Sequence, residues 1–235
     1  MFCGSRPGTD DGVHTLARQL GTALADAGVD LVYGGTKVGI MGTLADAVLA
    51  QGGRVVGVIP AGLIKREIAH PGLTKLIEVE DMHTRKRTMY ALADAFCALP
   101  GGYGTLDEVF EAATWTQLGL HDGPKPVVLL DHNGFWLELE AFLDRAVNDG
   151  FVKPANPSIV SRVTTVADVL AVLDHLPPLV GRWVKSGPIG GQAAGPFGGP
   201  RGVQVGTQRL QVIGRPGPPQ VLHVGHDRCG EIQGG

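Results

Sequence analysis

The stretch AFCALPGGYGTLDEVF, at residues 95–110, decides the fold that this 235-residue chain is expected to adopt. A short apolar run leads into a turn with three glycines, and a helical pattern begins directly after the turn. Glycines allow the backbone to approach a phosphate, and the free N–H groups at a helix start attract an anion. The turn is not a Walker A loop, because no GK[ST] follows its glycines, and it does not have the GxGxxG pattern. The stretch therefore predicts a strand, a phosphate-binding turn and a helix, with an ordinary glycine-rich turn as the alternative.

The same alternation of strand and helix extends through residues 1–176. Apolar runs typical of buried strands lie at residues 29–33, 55–59, 76–79, 95–99, 127–130 and 159–163. Helical patterns lie at residues 9–27, 40–51, 84–93, 104–118, 136–148 and 166–175. This spacing favours right-handed βαβ units, and hence an α/β fold: a Rossmann-like, doubly wound parallel sheet with helices on both faces. A first strand ahead of Gly4 would have only three residues, which is short for a buried parallel strand.

Glycine and proline divide the chain into two parts. Residues 177–235 hold 15 Gly and 8 Pro and carry a net charge of +4, whereas residues 1–176 hold 21 Gly and 8 Pro and carry −7. Richness in Gly and Pro without a period is typical of disorder. We therefore predict one Rossmann-like domain at residues 1–176 and a disordered Gly/Pro-rich tail at residues 177–235. A misread coding end would give the tail the same composition.

The composition excludes several classes of protein. With 18% charged residues and a net charge of −3, the chain is neither a polybasic nucleic-acid binder nor a charge-rich disordered protein. No apolar stretch reaches the ~18 residues of a membrane span, and the start does not resemble a signal peptide. The three cysteines are far apart and form no CxxC pair, which argues against a disulfide framework and a zinc site. We expect a cytoplasmic protein that binds neither nucleic acid nor membrane and needs no metal or cofactor.

Other predicted strands end in similar segments. Glycine turns lie at residues 3–9 and 33–42, and the basic residues Arg85, Lys86 and Arg87 begin a helix after a third strand. Basic residues oppose the dipole of a helix start unless an anion or a carboxylate lies nearby. Because the carboxyl ends of parallel strands share one edge of the sheet, these segments together indicate one phosphate-bearing ligand. For any one of these segments taken alone, an ordinary glycine turn or a solvated basic helix face is the alternative interpretation.

Two longer motifs carry a resemblance to a known family. PGGYGTLDE, at residues 100–108, has the pattern PGGxGTxxE, and MHTRK, at residues 82–86, has the pattern MHxRK, so that Arg85 and Glu108 stand 23 positions apart. A CGS turn, a YGG region, an REIAHPGL stretch and a WTQLGLH stretch extend the similarity over residues 1–176. In these motifs the chain resembles the LOG (Lonely Guy) family of cytokinin riboside 5′-monophosphate phosphoribohydrolases, which were often mislabelled as lysine decarboxylases.

The resemblance implies a Rossmann-like homodimer with sites near the interface. The implied substrate is a nucleoside 5′-monophosphate: the N-glycosidic bond of an N6-substituted adenosine 5′-monophosphate is hydrolysed to the free base and ribose 5-phosphate. The implied catalytic pair is Arg85 and Glu108. The expected substrate-binding residues are Gly34, Gly35, Glu67, Met82, Lys86, Gly101, Gly102, Tyr103, Gly104 and Thr105. Two positions depart from the family pattern: Thr36 replaces a third glycine, and Asp107 replaces the commoner glutamate.

The residue types suit this chemistry. Cleavage of an N-glycoside builds positive charge on the ribose and negative charge on the departing base. A carboxylate such as Glu108 can stabilise the oxocarbenium-like ring and activate water. Arg85 can pair with Glu108, hold phosphate or balance charge on the base. A decarboxylase would need a lysine that bears pyridoxal phosphate and a partner for its ring, whereas the glycine turns supply anion cradles. A broader AMP or nucleotide nucleosidase and a non-catalytic nucleotide-binding module stay open as alternatives.

Overall fold

Strands and helices alternate along the chain in the computed structural model, which describes residues 1–64, 69–153 and 159–176 and the backbone of residues 221–223. The helices are α1 (Asp11–Asp26), α2 (Gly39–Ala50), α3 (Ala61–Ile64), α4 (Met82–Leu92), α5 (Tyr103–Leu118), α6 (Leu137–Asn148) and α7 (Val166–Asp174). The strands are β1 (Leu31–Tyr33), β2 (Val55–Pro60), β3 (Lys75–Val79), β4 (Phe96–Ala98), β5 (Val127–Leu130), β6 (Val160–Val163) and β7 (Val221–His223). The predicted bounds agree with these elements to within two residues; α3 and β7 are additional.

Two parallel sheets meet at the start of the chain. One has the strand order β1-β2-β3-β7 and the other the order β4-β5-β6. Residues 1–3 lie between β1 and β4: the α-amino group of Met1 donates to Val32 O at 2.8 Å, and Phe2 N donates to Cys97 O at 2.9 Å. The strand order therefore reverses at residues 1–3, which confirms the doubly wound α/β arrangement.

Helices cover both faces of this sheet, as predicted. The buried side chains of α1, α2 and α7 form one apolar cluster with the strands, and those of α4 and α5 form a second. Strand β5 shows the alternation that divides them, because Val128 and Leu130 belong to the first cluster whereas Val127 and Leu129 belong to the second. Such a strand is buried on both faces, which explains its unbroken apolar sequence.

The helix starts differ in a way that bears on function. Asp10 caps α1 by accepting a hydrogen bond from Gly12 N at 2.8 Å, and Asp81 caps α4 by accepting one from Thr84 N at 2.8 Å. Helix α5 begins after Gly102, which has no side chain to cap it. The first N–H groups of α5 therefore have no capping side chain, and they are donors suited to an anion.

The Gly/Pro-rich segment at residues 177–235 lies outside the described residues except for β7. The backbone of β7 pairs in parallel with β3 at the edge of the sheet, with Val221 opposite Leu76. The disorder expected for this segment, and the division of the chain at residue 176, stay predictions.

Candidate active site

A cavity of about 800 Å³ opens at the carboxyl ends of the central strands. It lies where residues 4–10, after the first strand segment, meet residues 100–108, after β4. These two connections flank the point at which the strand order reverses, which is where open α/β sheets bind their ligands. The fold alone therefore indicates this cavity as the place for a ligand.

The glycine turn forms one wall of the cavity. A Cβ atom on Gly101 would overlap the side chain of Thr105 and would lie 3.0 Å from Gly4 N, so that only glycine fits there. A Cβ on Gly102 or Gly104 would meet nothing within 4 Å, which leaves the backbone open to an incoming group. Thr105 is buried beneath the turn. Together with the uncapped start of α5, these residues form an open turn whose backbone donors suit a phosphate.

Arg85 reaches the cavity from the first turn of α4. Arg85 is only 6% exposed, and its Nη2 donates to Gly34 O at 3.2 Å. A Cβ on Gly34 would overlap this guanidinium, which explains a glycine at that position. Within the described residues the buried Nε of Arg85 has no hydrogen-bond partner. A buried cation with an unused donor at a cavity wall is suited to bind an anion or an electron-rich group.

Glu108 faces the same cavity from the first turns of α5. Burial raises the pKa of its carboxyl from 4.5 to about 7, although the positive charges of Arg85 and the Met1 α-amino group oppose the rise. The carboxyl therefore changes its protonation state near neutral pH. This is the range in which a carboxyl group serves best as a general base or acid. No ion pair within 4.0 Å joins Glu108 to Arg85 among the described residues, and both side chains line the cavity.

Lys86 follows Arg85 on α4 but points to a different place. Its Nζ lies 2.7 Å from Glu111 Oε2 and 3.0 Å from Asp107 Oδ2. The described residues that line the cavity include Asp107 but not Lys86. The cation of Lys86 is thus shared by two carboxylates of α5.

The two glycines in the turn after β1 have different surroundings. Gly34 lines the cavity, whereas Gly35, with φ +81°, packs against Gly57 of β2. Thr36, which stands where the family pattern has glycine, is fully buried, and its carbonyl accepts a hydrogen bond from the Tyr33 hydroxyl at 3.1 Å. The turn is therefore anchored to β1 by a buried contact.

Most of the predicted site residues come together in this cavity. Those among its lining are Gly34, Met82, Arg85, Gly101, Gly102, Tyr103, Gly104, Thr105 and Glu108. Gly35 and Lys86 are not among the described lining residues, and Glu67 lies outside the described part of the chain. The motifs did not point to two apolar members of the lining, Leu63 and Phe135, whereas Met41 belongs to the glycine turn at residues 33–42. Phe135 lies in the segment after β5, and this position after a strand end is the one feature of the sequence that indicates a place in the lining.

Comparison with known proteins agrees with this geometry. A family model described as "Possible lysine decarboxylase" matches residues 41–173. A probable cytokinin riboside 5′-monophosphate phosphoribohydrolase of Oryza sativa subsp. japonica is 46% identical over 179 residues, which cover 76% of this chain and 72% of the relative. The chain belongs to the LOG family. A cytokinin riboside 5′-monophosphate phosphoribohydrolase of Rhodococcoides fascians is 47% identical to this LOG-family chain over 174 residues, which cover 74% of the chain and 87% of the relative.

Solved structures confirm the fold of this LOG-family chain. The molybdenum cofactor binding protein of Rippkaea orientalis matches with a TM-score of 0.55 at 22% identity, over 73% of this chain and 92% of that one. The molybdenum cofactor carrier protein of Chlamydomonas reinhardtii matches with a TM-score of 0.53 at 22% identity, over 72% and 89%. At this identity the likeness is one of fold.

Proposed function

We propose that the protein hydrolyses the N-glycosidic bond of N6-substituted adenosine 5′-monophosphates to the free base and ribose 5-phosphate. The observation that carries the proposal is the meeting of Arg85 and Glu108 with the glycine turn in one cavity. The relatives described above are named for this reaction on cytokinin nucleotides. The chain retains both motifs complete.

In the proposed complex the 5′-phosphate binds at the start of α5. The open backbone at Gly102 and Gly104 and the uncapped N–H groups of the helix offer donors to a dianion. Glu108 lies one turn along the same helix, so the ribose of a nucleotide held by its phosphate comes beside the carboxyl group.

The reaction then follows from the charges. The C1′–N bond breaks with its electron pair on the base, and the ribose becomes oxocarbenium-like. The ionised Glu108 stabilises this positive charge and accepts a proton from the water whose oxygen bonds to C1′. Arg85, which stays cationic, balances the negative charge that develops on the leaving base, and the base is released after taking up a proton.

The apolar side of the cavity favours a substituted base over plain adenine. Met41, Leu63 and Met82 present apolar surface to the same cavity as the two catalytic groups. An apolar N6 substituent buried there would gain roughly 0.8 kcal/mol for each CH₂ group, which a plain amino group cannot gain.

The test compares substrates on the purified full-length protein. N6-isopentenyladenosine 5′-monophosphate, AMP and the corresponding riboside without phosphate are supplied in parallel, and free base and ribose 5-phosphate are measured by chromatography. We expect release of base from the substituted monophosphate, slower release from AMP and none from the riboside. Equal turnover of AMP would identify a general nucleosidase, and nucleotide binding without base release would identify a binding module.

We propose further that the protein is a homodimer whose interface includes α5. Large apolar side chains of α5 and the turn after it are exposed in one protomer: Tyr103 is 94% exposed, and Phe110, Leu118 and Leu120 are also exposed. Tyr103 lines the cavity as well, so a second copy packed on α5 would border the site. Light scattering after gel filtration should give the mass of a dimer, and Leu118→Glu should shift it towards the monomer. A monomeric wild type would disprove this part.

We also propose a cytoplasmic location. Both cysteines in the described part of the chain, Cys3 and Cys97, are buried free thiols, which suits a reducing compartment. Separately, no described helix is long and apolar enough to cross a membrane. Fractionation of cells that express the protein tests the location, and recovery outside the cytoplasmic fraction would contradict it.

A further inference from the structure

Helices α4 and α5 are joined by an ion-pair network beside the cavity. Lys86 is 10% exposed, and its Nζ contacts Asp107 at 3.0 Å and Glu111 at 2.7 Å. The Tyr90 hydroxyl, one turn further along α4, lies 2.8 Å from Glu111 Oε2 and 3.4 Å from the carbonyl oxygen of Glu108. Two side chains of α4 thus contact two carboxylates and one backbone carbonyl of α5.

This network lies next to the two proposed catalytic residues in the chain. Arg85 precedes Lys86 on α4, and Glu108 follows Asp107 on α5. Contacts that fix the separation and rotation of the two helices therefore also fix the direction from which each catalytic group enters the cavity. A misplacement of about 1 Å can lower a rate about 100-fold, so such contacts matter for catalysis.

The ammonium group of Lys86 is already paired with two carboxylates of the protein, those of Asp107 and Glu111. The hydrogen bonds to Glu111 and Asp107 outweigh the effect of burial and raise the pKa of Lys86, so that it stays protonated. A nucleotide phosphate would have to compete with two carboxylates for this ammonium group.

We propose that Lys86 is a positioning residue, which orients and charges the Glu108 carboxyl through the α4–α5 network rather than by touching the nucleotide. This inference rests on the proposed function for its kinetic consequence. It reassigns Lys86, which the family resemblance implied to be a substrate contact.

The network also affects the protonation of Glu108. Apart from burial, the charges that act on the pKa of Glu108 are those of Arg85 and Lys86 on α4, Asp107 on α5 and the Met1 α-amino group. The Cys3 thiol also lies nearby in the first segment, and Glu108 raises its pKa. Replacing Lys86 by methionine removes a cation and leaves Asp107 and Glu111 without their shared partner. Both changes raise the pKa of Glu108. Glu111 lies one helical turn from Glu108 on α5, so replacing it by glutamine removes a nearby negative charge and should lower the pKa of Glu108.

The experiment measures kcat and KM for the substituted monophosphate between pH 5 and pH 9. It compares wild type, Lys86→Met, Lys86→Arg and Glu111→Gln. Lys86→Met is expected to lower kcat at least about 10-fold, to leave KM within about 3-fold and to raise the midpoint of the acidic limb, because a cation near Glu108 is lost. Lys86→Arg should retain most of the wild-type activity, because arginine keeps the positive charge that methionine lacks. Glu111→Gln should move the midpoint in the opposite direction.

The control is Arg87→Met, which makes the same change of charge at an exposed neighbour on α4. Although Arg87 belongs to the basic segment of the sequence, it is not among the described residues that line the cavity, so its replacement should change neither kcat nor the midpoint. A rise of 10-fold or more in KM for Lys86→Met, with kcat and the midpoint unchanged, would overturn the proposal in favour of a substrate contact. If Lys86→Met does not fold, Glu111→Gln decides the question by the direction of its shift.

A second readout keeps the inference separate from the proposed function. The titration of Glu108 is followed by carboxyl ¹³C NMR in wild type and variants, without substrate. If the wild type releases no base, the proposed function fails, and an upward shift of the Glu108 midpoint in Lys86→Met still supports the coupling. An unchanged midpoint would refute the coupling, whatever the activity.

Discussion

Replacing Glu108 by glutamine should make the protein inactive and, above neutral pH, more stable. Burial raises the pKa of this carboxyl from 4.5 to about 7. One pKa unit corresponds to about 1.4 kcal/mol, so ionising Glu108 in the folded protein costs up to about 3 kcal/mol above pH 7. In the unfolded chain the carboxyl ionises near its ordinary pKa. The wild type therefore loses stability through this group as the pH rises from about 4.5 to about 7, whereas the glutamine variant does not.

The measurement is urea unfolding of wild type and Glu108→Gln at several pH values between 4 and 8.5. Other titrating groups are common to both proteins, so the difference in free energy of unfolding isolates Glu108. We expect no difference near pH 4 and an advantage of up to about 3 kcal/mol for the variant near pH 8. Base release should fall by at least about 100-fold. A stability difference that does not vary with pH, or a variant less stable than wild type at pH 8, would refute the reasoning.

Three other changes probe the cavity and the segment beyond it. Gly101→Ala places a Cβ against Thr105 and should weaken nucleotide binding and lower the melting temperature, whereas Gly102→Ala should leave the melting temperature unchanged; calorimetry with AMP and thermal unfolding compare the pair. Arg85→Lys loses the planar guanidinium and should lower kcat by about 100-fold or more in the base-release assay. Deletion of residues 177–235 should leave kcat unchanged and reduce the free energy of unfolding by no more than about 1 kcal/mol, and a loss of activity would show that this segment supports the site.

Local sequence determined most of the fold because each element carries its own pattern. The apolar run of β5 and the spaced apolar residues of α1 are visible without knowledge of neighbours. The short elements α3 and β7, with four and three residues, are too short to show a period. The pairing of β7 with β3 also joins segments far apart in the sequence. A pairing of this kind depends on tertiary contacts and cannot be predicted from propensity.

The site was predictable where a motif and a strand end coincide. The cavity-lining positions of Arg85 and Glu108 follow from motifs placed after β3 and β4. The direction of Lys86 was not predictable, because its partners lie on another helix and neighbouring residues on a helix point to different sides. Leu63 joins the cavity from α3, which no motif marks. Sequence motifs indicated the proposed catalytic pair, whereas the apolar walls and the supporting ion pairs depend on packing.

The narrow contact made by residues 1–3 has a consequence for how the protein folds. Among the described residues, residues 1–3 lie between β1 and β4, and Phe2 stacks on Phe96 with ring centres 5.5 Å apart. Apart from the β3–β7 pairing, the strands within each half of the sheet are joined by βα units that are close in sequence. The junction must bring Phe2 next to Cys97, nearly a hundred positions away, which is slow. The cavity lies across that junction, so activity should return only in the last phase of refolding, after most of the secondary structure has formed.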